Sequence, residues 1–113
     1  MTILNTTAGK VIATMPIGEN VNGNGFDAGT GFVFSPKGYG TLTVVRESSP
    51  GKVEVFETVT TQLGSRTMAI DPIDHYIYLA ATQFPKPKES TPAASKPRPV
   101  MVNDSFEVLI VRP

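Results

Sequence analysis

The chain has no cysteine, no tryptophan and only one histidine among its 113 residues. Without cysteine it can form neither disulfide bonds nor thiolate metal sites. Its ten acidic and ten basic side chains cancel, so no charge excess points to nucleic acid or to an anionic membrane as a partner. No apolar run approaches the roughly 20 residues that span a bilayer. We therefore expect neither nucleic acid nor membrane as a partner.

The N-terminal residues 1–5 lack the basic and apolar regions of a signal peptide. We expect either a cytoplasmic chain or one from which a leader or a larger N-terminal portion is missing. The sequence alone does not assign a compartment.

Glycine and proline are plentiful, with ten of each, and no segment shows a helical period. This composition favours an all-β fold. A weak repeat runs through most of the chain. The segment from Lys10 to Ile17 recurs 42 residues later as Lys52 to Val59, and Phe32-Val33-Phe34 recurs 44 residues later as Tyr76-Ile77-Tyr78. A period of this length built from short strands is typical of a β-propeller blade.

The predicted strands can be labelled A to D, from the innermost to the outermost strand of each blade. They are an optional C (2–4), then D (11–17), A (24–27), B (32–35), C (42–46), D (53–60), A (67–70), B (76–82) and C (106–111). Without the optional strand the order is D, ABCD, ABC, which is two blades in circularly shifted order. The whole chain, 1–113, is thus a two-blade unit: residues 10–60 hold the first D strand and a full blade, and residues 61–113 hold the A, B and C strands of the second.

Residues 85–99 interrupt this pattern with five prolines and no large apolar side chain. Such a segment cannot enter a core, so we expect a flexible, solvated loop between strands B and C of the second blade. Its four basic residues are not interleaved with aromatic side chains, which argues against binding to single-stranded nucleic acid.

Several segments together resemble the YVTN-type β-propeller repeat proteins. They are Thr7 to Gly18, Gly25-Phe26-Asp27, Gly40 to Val44, Arg66 to Pro72, His75 to Leu79 and Ser105 to Val111. The resemblance covers nearly the whole chain and implies the propeller fold, but little about activity. It also allows a secreted or periplasmic parent protein. Such propellers usually have about seven blades, so this chain is either the C-terminal part of a longer protein or a short chain that assembles.

Two blades alone would leave two large apolar faces in water, which soluble monomers rarely tolerate. If the first D strand of one chain completes the A, B and C strands of the next, head-to-tail contacts close a ring. Whole chains then give six or eight blades. We favour a homotrimer, with a tetramer as the alternative.

The candidate ligand-binding residues lie in loops at one mouth of the expected channel. Arg66 precedes an innermost strand, and a ring of Arg66 side chains would favour a small anion. Asn22 and Asn24, with Glu19 nearby, offer oxygen ligands of the kind that a hard cation prefers. A sugar is a further candidate ligand, although the chain has no tryptophan for stacking. Turn formation and solvation explain the same residues more simply.

His75 and Asp27 are each expected to serve a turn, His75 on the surface and Asp27 as a cap. No nucleophile elbow, phosphate-binding loop or dinucleotide motif is present, and we predict no catalytic residue, no metal ligand and no cofactor. The preferred interpretation is a non-catalytic propeller module for structure or binding. The alternative is a lactonase-like propeller hydrolase with a cation in its channel.

Overall fold

The structure is a computed structural model that describes residues 1–84 and 101–113. In this part of the chain all regular secondary structure consists of β-strands. The strands are β1 (Thr2–Asn5), β2 (Lys10–Thr14), β3 (Gly25–Asp27), β4 (Phe32–Lys37), β5 (Thr41–Ser49), β6 (Lys52–Thr60), β7 (Arg66–Ile70), β8 (Ile77–Ala81) and β9 (Glu107–Val111). The all-β prediction is confirmed. The predicted loop at 85–99 lies outside the described residues.

The described strands form three antiparallel sheets in which each strand pairs with its neighbour in the chain. Sheet 1 contains β1 and β2, sheet 2 contains β3 to β6, and sheet 3 contains β7 to β9. The order of sheet 2 is compatible with that of one blade. The optional first strand is real, because Ile3 pairs with Ala13 and Leu4 with Val11. The first D strand is therefore paired within its own chain.

The core lies between one face of sheet 2 and one face of sheet 3. Its fully or nearly buried members are Phe34, Leu42, Val44, Ile77 and Leu79. Side chains alternate between the two faces of a strand, so Leu42 and Val44 on β5 share one face, and Phe34 on β4, the register partner of Val44, lies on the same face. The first strands of the two sheets, β3 and β7, approach each other directly. This packing fixes the position of sheet 3 relative to sheet 2.

The opposite face of sheet 3 is apolar and is not covered by another sheet in the described part of the chain. The strand pairing places five side chains on it, and we refer to them as the open face of sheet 3: Ala69, Tyr78, Ala80, Val108 and Ile110. Val108 and Ile110 are both 50% exposed, whereas Leu79, one residue along from Tyr78 and Ala80, is fully buried. A strand that is apolar on both faces is expected to be covered on both.

Sheet 1 approaches sheet 2 through β2 and β6, the last strand of sheet 2. Its contact is thus at the outer strand, whereas sheets 2 and 3 meet at their first strands. Leu4 and Val11, opposite each other in sheet 1, remain more than half exposed. No helix in residues 1–84 or 101–113 is long and apolar enough to cross a membrane.

Candidate functional site: the joint between sheets 2 and 3

Two equivalent turns connect the first and second strands of sheets 2 and 3. In sheet 2 the Gly31 amide donates to the Asp27 carbonyl over 2.8 Å, and in sheet 3 the His75 amide donates to the Asp71 carbonyl over 2.8 Å. Each aspartate also caps its own turn, because its Oδ1 accepts from the amide two residues on. The repeat of 44 residues is therefore preserved in hydrogen bonds.

The carboxylate of Asp27 is the best-connected polar group of the joint. Its side chain is 2% exposed. Oδ1 accepts from the Gly29 amide at 3.0 Å, and Oδ2 accepts from the Thr30 hydroxyl at 2.8 Å. Oδ2 lies also 2.7 Å from Nδ1 of His75, which belongs to the turn of sheet 3. The turn-cap prediction for Asp27 is confirmed, and the same carboxylate links two sheets.

The ionisation of Asp27 follows from these contacts. Burial acts to raise the pKa of Asp27, but the hydrogen bonds from Thr30, Gly29 and His75 and the charge of His75 lower it, and together they outweigh burial. The pKa therefore lies below the usual value of 3.8, so Asp27 is a carboxylate at neutral pH. A carboxylate only accepts hydrogen bonds, so Nδ1 of His75 must carry the proton.

His75 adopts a left-handed backbone conformation, and the equivalent position in sheet 2 is the glycine Gly31. Gly31 has φ +73° and His75 has φ 60°, both in the left-handed region that costs a residue with a Cβ atom about 1–2 kcal/mol. The side chain compensates, because an imidazole at this position reaches the carboxylate of the preceding sheet. Gly29 makes room for it: a Cβ atom at Gly29 would collide with Cε1 of His75.

An apolar cavity of about 270 Å³ adjoins this pair. Its lining includes the core side chains Phe34, Val44, Val59, Ile77 and Val111, together with Asp27 and His75. Side chains of β6 line one wall, while sheet 3 ends at β9 in the described part of the chain. The cavity thus lies where a fourth strand stands in sheet 2 but not in sheet 3.

The predicted ligand-binding residues are partly brought together. Asn22 is half-buried, and its side-chain amide donates to the Ser65 carbonyl at 3.5 Å, directly beside Arg66. Arg66 is exposed at the start of β7 and lines a second cavity with Thr67, Ala80 and Phe106. The loops before β3 and β7 therefore meet, and Arg66 stands at one end of the open face of sheet 3.

Asn24 and Glu19 are exposed and make no side-chain hydrogen bond or ion pair with any other described residue. Within residues 1–84 and 101–113, no three histidine, aspartate or glutamate side chains cluster in a way that could hold a metal ion.

The expectation for His75 missed its most important contact. The histidine is about one third exposed, but it bridges 48 residues of sequence to Asp27. The available signal was the repeat itself, because an offset of 44 places His75 where the first repeat has a turn glycine, Gly31. A histidine that replaces a left-handed glycine calls for a side-chain partner, and the equivalent turn of the neighbouring sheet supplies one.

Comparison with protein-family models, with curated proteins and with solved structures finds no match to this chain.

Proposed function

We propose that the chain is a non-catalytic, propeller-type structural and binding module that assembles head to tail into a closed ring of identical copies. Sheets 2 and 3 support the blade interpretation, because each is an antiparallel meander and they pack face to face with their first strands closest. β2 would be the outermost strand of the blade that sheet 3 of another copy begins. The trimer remains our preferred ring.

The open face of sheet 3 carries the proposal. Under the 44-residue repeat, Tyr78 of this face corresponds to Phe34, which is 7% exposed in the core. The face that sheet 2 buries against sheet 3 is thus the face that sheet 3 itself leaves open. A second copy would give sheet 3 the same kind of cover, and burial of apolar surface contributes about 25 cal/mol per Å².

Strand completion would act at the same junction. The outer edge of β9 is unpaired in the described part of the chain, and β2 carries the repeat of β6, the strand that completes sheet 2. In the proposed ring, β2 of one copy pairs with β9 of the next. In the single chain β1 occupies that edge of β2, so β1 and the neighbour's β9 compete for it.

The solution mass tests the proposal. Native mass spectrometry and light scattering over a range of protein concentrations should show a species of about 36 kDa, three times the 12.1 kDa of one chain. A tetramer would keep the head-to-tail mechanism and change only the ring size. A folded, monodisperse monomer at every concentration would exclude the proposal.

A further inference from the structure

Sheet 2 has a bare patch on the face that points away from sheet 3. The patch consists of Phe26 and Val33, which are register partners on β3 and β4, and we refer to this pair as the bare half of sheet 2. Phe26 is 59% exposed and Val33 is half-buried, whereas Val45, the next partner across the same face, is fully buried. The exposed part of this face therefore lies around Phe26 on the first strand, and the covered part lies on the third.

The repeat shows what belongs on this patch. Phe26 corresponds to Ile70 and Val33 corresponds to Ile77. Within the chain, Ile70 and Ile77 belong to the cluster that packs against Phe34 of sheet 2. Phe34 in turn corresponds to Tyr78 on the open face of sheet 3. Phe26 and Val33 are thus the equivalents of two members of the core that sheet 3 supplies, and Tyr78 is the equivalent of one that sheet 2 supplies.

We infer that the open face of sheet 3 docks onto the bare half of sheet 2 of another copy, in the register of the joint between sheets 2 and 3. Tyr78 then contacts Phe26 and Val33 of the neighbouring copy. This inference rests on the proposed self-assembly and adds its register. It selects a second copy as the occupant, since the same chain carries both halves of the contact.

The same register also predicts where the carboxylate of Asp71 lies in the docked pair. Asp71 corresponds to Asp27, so in the docked pair it lies beside the neighbour's equivalent of His75, which is Gly31. Asp71 caps its own turn through Oδ1, with the Ile73 amide at 2.8 Å, which leaves Oδ2 free of any hydrogen bond with the other described residues. The contact between copies would therefore lack the imidazole that joins sheets 2 and 3 within a chain.

Loss of the apolar contact is the first test. Phe26→Asp places a charge on the bare half of sheet 2 and should weaken self-association at least about tenfold, measured by analytical ultracentrifugation, because an unpaired charge would be desolvated on docking. Leu63→Asp is the matched control, since Leu63 is 56% exposed in a loop outside both patches. Circular dichroism of the two variants at low concentration checks that both chains fold.

Gain of the missing bond is the sharper test. Gly31→His should tighten self-association about three- to tenfold, because the new imidazole can donate to Asp71 of the neighbouring copy. The turn already accepts histidine at the equivalent position, and a Cβ atom at Gly31 would meet nothing within 4 Å. Any backbone strain exists in both the free and the docked chain, so it cancels in the association constant.

The double variant Gly31→His with Asp71→Asn isolates the bond. Asparagine keeps the cap oxygen but replaces Oδ2 with a donor, so the gain from Gly31→His should vanish. If the wild type assembles but Gly31→His has no effect and Phe26→Asp behaves like Leu63→Asp, the inferred register is wrong while the proposed assembly stands. If no variant and no concentration gives a species above 12.1 kDa, the proposed assembly itself fails.

Discussion

Truncation of two apolar side chains on opposite faces of sheet 3 should have very different costs. Leu79 is fully buried in the core between sheets 2 and 3, and Ile110 is 50% exposed on the open face. Leu79→Ala removes buried methyl groups and leaves a cavity, so we expect the free energy of unfolding to fall by about 2–5 kcal/mol. A small domain has only about 5–15 kcal/mol of stability, so this loss is large.

Ile110→Ala should cost far less in the single chain. Full burial of an isoleucine side chain contributes about 1.5–3 kcal/mol, and half of that surface already faces water, so we expect a loss of about 1 kcal/mol. In the assembled state the neighbouring copy would bury the rest. The loss of unfolding free energy caused by Ile110→Ala should therefore rise with protein concentration. The loss caused by Leu79→Ala should not, because Leu79 is already fully buried within one chain.

Urea unfolding followed by circular dichroism, at low and at high protein concentration, measures both quantities. The two variants should differ by at least about 1 kcal/mol at low concentration. Equal losses there would mean that Ile110 is as buried as Leu79 within one chain. The open face of sheet 3 would then not be open, and the reasoning that leads from it to self-assembly would collapse.

Three further outcomes follow from the joint and from sheet 1. The pKa of Asp27 is lower in the folded chain than its usual value of 3.8, so the ionised carboxylate stabilises the fold above pH 3.8 and this stabilisation is lost as the pH falls through the folded pKa. Unfolding measured over a series of acidic pH values should show this loss of stability, and the Asp27→Asn variant should not show it. Gly29→Ala should lower stability by about 1–3 kcal/mol because its Cβ atom meets the ring of His75, and thermal melting in a His75→Ala background should show little of that effect. Leu4→Pro removes an amide from β1 and should free β2 for the neighbour's β9, so light scattering should show stronger self-association; weaker association would contradict the competition between β1 and β9.

The strand pattern could be predicted because each sheet is built from neighbouring segments. The turn dipeptide Pro50-Gly51 and the alternation that follows it define the hairpin of β5 and β6 without knowledge of any distant contact. β2 is shorter than predicted, ending at Thr14 instead of residue 17. The pattern of the first strand was too short to decide, although β1 forms and pairs with β2.

The joint between sheets 2 and 3 could not be predicted from local signals. Asp27 satisfies two donors of its own turn, which is a complete local role, and nothing near it in the sequence indicates a third donor. The bond to His75 depends on how two sheets stack, and stacking is a tertiary property. The blade interpretation puts the loops of Asn22 and Arg66 at the same mouth of the expected channel, and in the structure the Asn22 side chain contacts Ser65, the residue before Arg66.

The neighbour-to-neighbour pairing of strands also determines how the protein opens. Sheets 2 and 3 share a core and the Asp27–His75 bond, so they should unfold as one cooperative unit. Sheet 1 approaches the rest only through β2 and β6, and most of its side chains face water. Its amides should therefore exchange with solvent through small openings that leave the other sheets intact. The ring needs the N-terminal strand β2 for pairing, and sheet 1, which contains β2, is the sheet that should open at the lowest free-energy cost.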